Sequence, residues 1–162
     1  MGEAGPGLSF PGIGEQKGHM NIGKSAAIIA GALGCALVWA QDQPSKSVWD
    51  GIYTKEQAAR GEPLYKQYCG TCHGESLEGI EMAPALAGGE FLDQWSGQTM
   101  GDLFERIRAT MPRDRPGKLS RDINADITAY MLSFNQFPAG NTELSRDTQV
   151  LKQIKIEAAK PK

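Results

Sequence analysis

CGTCHG, residues 69–74, gathers Cys69, Cys72 and His73 into five consecutive positions. The chain has 162 residues but only 3 cysteines and 2 histidines. So dense a cluster in so poor a background calls for a chemical reason. Two cysteines three apart with a histidine directly after suit a redox dithiol, part of a metal knuckle, or a site of covalent haem attachment.

The rest of the inventory narrows the choice. Residues 1–19 are Gly- and Pro-rich and lack periodicity. MNIGK, residues 20–24, then brings a methionine and a lysine, and SAAIIAGALGCALVWA, residues 25–40, is an uncharged apolar run. It ends in Val38-Trp39-Ala40, with polar residues following at once. A positive start, a short apolar stretch and small residues before a polar break describe an export leader. Residues 1–40 are therefore expected to be a leader, with the true start at Met20 and cleavage after Ala40. An uncleaved run would be a membrane anchor, although it is shorter than the ~20 residues of a comfortable span. On this reading Cys35 and His19 leave the mature chain, and Cys69, Cys72 and His73 are all that remains of the Cys and His inventory.

A structural zinc site takes four Cys or His ligands, and this mature chain offers three. A thioredoxin-like dithiol follows a strand in a βαβ setting. Here the motif follows EQAARGEPLYKQY, which reads as helix. The haem reading uses every residue. Both thiols add to vinyl groups on one edge of the porphyrin, and the next residue, His73, donates an imidazole nitrogen to the iron. Gly74 relieves crowding where the backbone leaves. With 17 Lys+Arg against 19 Asp+Glu, a net charge of −2, nothing suggests nucleic acid as a partner. Aromatics are 7% and glycines number 20, so the domain is loop-rich and a bound cofactor would supply apolar volume.

With one histidine in the mature chain, the sixth ligand is a methionine, a less usual group, water, or nothing. Met131 lies in SRDINADITAYMLSF, residues 120–134, where Ile123, Ile127, Tyr130, Met131 and Phe134 recur at helical spacing. It reads as core. Ser120 is the expected cap and Asp122 stands in the first turn. Met100 opens the helix TMGDLFERIRAT, with Thr99 as cap and Asp102 completing a box. A first turn is a poor place from which to reach iron. Met82 stands only nine positions beyond His73, too few for an easy path to the opposite face. Met111 follows that helix and precedes Pro112, which biases it toward extended backbone. About 38 residues separate it from His73, ample to cross the ring. Met111 is the predicted distal ligand.

Thr54 is expected to cap the helix leading to the motif. Ala58, Gly61, Tyr65 and Cys69 share its inner face, with Gly61 admitting the last helix through Ile127 and Tyr130. Pro63 predicts a bend or a frayed start before Glu62. In residues 141–162, Leu144, Val150, Leu151 and Ile154 suggest a short helix laid back on the domain, with KIEAAKPK fraying as a solvated tail.

RGEPLYKQYCGTCHG, a Pro-Ala-Leu segment and MP before a closing helix resemble class I cytochrome c domains over residues 50–140. The resemblance implies an all-α fold of three to five helices wrapped around one covalent haem c. Cys69 and Cys72 would anchor it, and His73 and Met111 would be the axial ligands. It also implies that the Pro84 carbonyl orients His73 and that Trp95 lies near a haem propionate. The domains expected are 1–40 leader, 41–140 cytochrome domain and 141–162 extension. FLDQWSG, LFERIRATMP, PGKLS, AYML and NQFPAG look like the cytochrome domains associated with periplasmic quinoprotein alcohol dehydrogenases.

The expected function is single-electron transfer in a bacterial periplasm, between a dehydrogenase and the respiratory chain. The redox partners would be a quinoprotein dehydrogenase or a terminal oxidase, and the membrane would enter only through an uncleaved leader. No substrate or catalytic residue is expected. Arg113, Arg115 and Lys118 would form a docking rim. The alternative is a ligand-binding or peroxidase-like haem with an open sixth position.

Overall fold

The structure, a computed structural model, describes Gly2, residues 46–81 and residues 83–161. The expected leader, with His19 and Cys35, and the candidate Met82 lie outside the described residues. From Lys46 onward the described chain belongs to one compact unit, Trp39–Lys162.

Thr54 is extended and its hydroxyl accepts from the amide of Gln57, which starts helix α1, Lys55–Tyr68. The CxxCH motif forms a further single turn, α2, Gly70–His73. Helix α3 spans Gly88–Trp95, α4 Met100–Thr110 and α5 Arg121–Phe134. A last short helix, α6, spans Thr148–Lys152. A two-residue strand β1, Lys46–Ser47, pairs in parallel with β2, Ile154–Lys155. The fold is all-α. Six helices among the described residues exceed the expected three to five because the motif and the extension each form one of fewer than eight residues.

The caps hold as read. Thr99 and Asp102 bond reciprocally at the start of α4, and Ser120 accepts from Ile123 at the start of α5. Each such cap stabilises its helix by about 1 kcal/mol because it satisfies an amide that has no partner within the helix.

Helices α1 and α5 pack through Gly61. A methyl group on Gly61 would lie 1.9 Å from the Asp126 carbonyl oxygen and 2.9 Å from Tyr130 Cβ, so only glycine admits this approach. Tyr65 and Tyr130 stack tilted beside it, 5.4 Å between centroids. Arg60 closes the rim on Asp126 and Glu143.

Three expectations need correction. Helix α1 runs unbroken through Pro63. The proline costs the bond to the carbonyl of Ala59, but both residues face solvent, where water can serve that oxygen. The inner stripe of α5 is shifted: Ala125, Ile127, Thr128, Met131 and Leu132 are buried, while Phe134 is 40% exposed. The helix is packed on more than one side, so a single stripe understates its buried face. Finally, the C-terminal extension does not fray where expected. Ile156, inside the expected tail, is buried; Leu144, Leu151 and Ile154 are buried as the stripe predicts, and of that stripe only Val150, 50% exposed, faces water.

Candidate functional site

The site begins where α1 ends. Cys69 leaves regular helical backbone, and the amides of Cys72 and His73 both bond back to its carbonyl. In such a turn, side chains three and four positions on lie over the same surface. That places Cys72 and His73 beside Cys69. Both thiols are free, Cys69 half-buried and Cys72 exposed. Burial, then the neighbouring Cys72, pushes the Cys69 thiol up to about 11. A reactive thiol needs the opposite shift, so the environment of Cys69 disfavours nucleophilic redox chemistry there. Among the described residues no group of three or more His, Cys, Asp or Glu is arranged to hold a bare metal ion.

His73 is buried, and its Nδ1 lies 2.8 Å from the carbonyl oxygen of Pro84. A carbonyl only accepts, so Nδ1 is the nitrogen that donates, and in the neutral ring this leaves the lone pair on Nε2. The loop from Gly74 to Ala87 creates this contact. Leu77 is fully buried as its plug, the Gly79 amide donates to the His73 carbonyl at 2.9 Å, and the Leu86 amide closes the turn onto Leu77. Gly79 has φ +77, and a methyl there would sit 2.7 Å from the Ala83 carbonyl oxygen. Only glycine lets the loop fold tightly enough to bring Pro84 back. Tyr65 adds a second tie, its buried hydroxyl donating to the Gly74 carbonyl at 2.7 Å.

Met111 caps the C-terminus of α4, as the following proline predicts. It is extended, at φ −119 and ψ 152, its amide still bonds to Ile107, and the Met111–Pro112 peptide is cis. Its side chain is half-buried and borders a depression of about 430 Å³ shared with Arg106, Thr110, Arg113 and Pro116. Arg115 lies over the ring of Tyr68, 5.6 Å from its centroid. That contact brings the 111–120 loop against the residue preceding Cys69. Trp95 packs half-buried on the core, as do Leu86, Leu92, Ile107, Leu119 and Ile123.

The donor set suits a haem: two free thiols in one turn, an imidazole held through Nδ1, a thioether on the loop after α4, and partly exposed apolar side chains. Sequence reading placed Cys69, Cys72, His73, Pro84 and Met111. It missed the Tyr65 hydroxyl, Leu77 and Gly79. Asn135 was also missed; its side chain accepts from Gly88 at the start of α3 and donates to the Leu86 carbonyl. Only the glycine at 79 signalled a tight turn in advance.

Residues 56–131 match the family described as cytochrome c oxidase, cbb3-type, subunit III. No curated protein matches. Among solved structures, a chain in the crystal structure of the sulfane dehydrogenase SoxCD from Paracoccus pantotrophus is similar at 27% identity and a TM-score of 0.44. That match covers 64% of this chain and 61% of the other, so it spans less than two thirds of either.

Proposed function

We propose that this protein is a c-type cytochrome, an exported carrier of single electrons serving between a dehydrogenase and the respiratory chain, a reading supported by the family match over residues 56–131. Cys69 and Cys72 would hold one haem c through thioethers, and His73 and Met111 would be the side chains that ligate its iron. When bound, that group supplies the Fe(III)/Fe(II) couple, and no chemical product is made.

The observation that carries the reading is the His73–Pro84 contact. It fixes the ring's tautomer and orientation, as a ligating histidine requires. Met111 complements it. A thioether raises the reduction potential relative to a second nitrogen ligand, and the Arg115–Tyr68 contact steadies its loop. The thioethers retain the cofactor through repeated encounters with partners. The leader assigned to residues 1–40 supports export, and the segments FLDQWSG and LFERIRATMP support a quinoprotein dehydrogenase as donor.

The test is expression with the chain's own leader in bacteria able to mature c-type cytochromes. A red periplasmic fraction is expected, with one haem per chain surviving acid-acetone extraction. A far-red methionine–iron band should be present and should vanish in Met111→Ala. A colourless product refutes the proposal. A wild-type reduced spectrum that shifts readily with carbon monoxide refutes the closed sixth position and favours a ligand-binding haem.

A further inference from the structure

The C-terminal extension lies beyond the matched residues, yet it grips one helix at three successive levels. Before α4, the Gly97 amide donates to the Ile156 carbonyl and the Ile156 amide to the Gln98 carbonyl, both at 2.9 Å. In the first turn of α4, Gly101 abuts α6 so closely that a methyl there would lie 2.9 Å from the Lys152 nitrogen and 3.0 Å from the Thr148 carbonyl oxygen. One turn on, Glu105 accepts from the Thr148 hydroxyl and from Arg108 and Arg121. It thereby joins α4, α5 and α6.

The extension is itself anchored at both ends. At its start, the amide group of Gln57, only 2% exposed, bonds both backbone groups of Leu144, at 3.2 and 2.6 Å. At its end, β2 pairs with β1, and Trp49 Nε1 donates to the Glu157 carbonyl at 3.0 Å.

What α4 presents at its far end is Met111, whose amide continues the helix through its bond to Ile107 at 2.9 Å. A helix of 11 residues is a stiff rod, so its held half sets where its last turn sits. We infer that residues 141–157 are a clamp on α4 that positions Met111, with Glu105 and Thr148 as its positioning residues. The inference rests on the reading of Met111 as an axial ligand. The clamp makes no contact with the iron; it limits the excursions through which an outside ligand would displace the thioether.

Imidazole titrated into the ferric holoprotein, followed by loss of the methionine–iron band, tests this. Thr148→Val is expected to bind imidazole about fivefold more tightly, the effect of one lost hydrogen bond, and Glu105→Ala, which loses its bonds from Thr148, Arg108 and Arg121, at least that much more tightly. Thr148→Ser, which keeps the hydroxyl, and Val150→Ala, on the exposed side of α6, should match the wild type. Variants with a lowered unfolding midpoint but unchanged imidazole affinity would overturn the clamp and leave a merely structural tail. A wild type without the band defeats the ligand reading instead. The clamp then stands or falls on hydrogen exchange at the Met111 amide, which must lose protection in Thr148→Val.

Discussion

His73 and Tyr65 show how single side chains prepare the site. The imidazole gains its orientation from a carbonyl eleven residues away, and the tyrosine hydroxyl ties the same loop to α1. Tyr65→Phe keeps the ring and its stacking on Tyr130 but leaves the buried Gly74 carbonyl without its donor. Such an unsatisfied group costs about 1–3 kcal/mol. A lowered midpoint in denaturant is expected, with the haem spectrum retained. No change in midpoint would mean that water replaces the hydroxyl. Cys69, Cys72, His73 and Met111 could be named as candidates from the sequence because the chemistry proposed for them depends on spacing along the chain. Tyr65 was legible only as a face, since its acceptor is a backbone oxygen that no sequence pattern marks.

Among the elements, α4 carries the most connected charge. Arg108 first, then the Thr148 hydroxyl, hold the Glu105 carboxyl down to about 2, against an ordinary value of 4.5. Arg121 faces it from α5. A lowered folded value means that Glu105 stabilises the protein above pH 4.5, and that this contribution is lost as pH falls toward about 2. In Glu105→Gln the acid limb of the stability curve should therefore be shallower over that window. Unfolding midpoints measured across it check the prediction; parallel curves would remove Glu105 from the acid response. The caps of α1, α4 and α5 were legible because a cap is a local matter of Thr or Ser meeting an amide two or three positions on. The continuity of α1 through Pro63 was not. Whether a proline breaks a helix depends on what covers the carbonyl one turn back, which is a tertiary fact.

For the whole molecule, Arg113, Arg115 and Lys118 are exposed on the loop that follows Met111, and Asp114 is the acidic residue there, paired with Arg115. Opposite charge on a partner would speed encounter at low salt and be screened above about 0.1 M. Neutralising the three cations should slow reduction by an acidic partner at low ionic strength and flatten the salt dependence, as read by stopped-flow; an unchanged slope would place docking elsewhere. The extension adds four buried apolar side chains, Leu144, Leu151, Ile154 and Ile156. At about 1.5–3 kcal/mol each, they are comparable with the 5–15 kcal/mol that keeps a domain folded. Ending the chain at Gly140 is expected to abolish cooperative unfolding by heat, and a sharp transition near the full-length midpoint would contradict that.

The sequence by itself determined the spacing of the motif, the helical class, the caps, Gly61 as a point of close approach and Met111 as a residue leaving a helix on extended backbone. Each of these is set by neighbours within a few positions or by one helical period. Tertiary structure alone decided that the Tyr65 hydroxyl reaches the Gly74 carbonyl, that Asn135 caps α3 from the end of α5, and that the last residues of the extension bind α4 and the first strand. Those depend on carbonyls, amides and packing faces brought together across the chain, and backbone groups look the same at every position until the fold assigns each its partner.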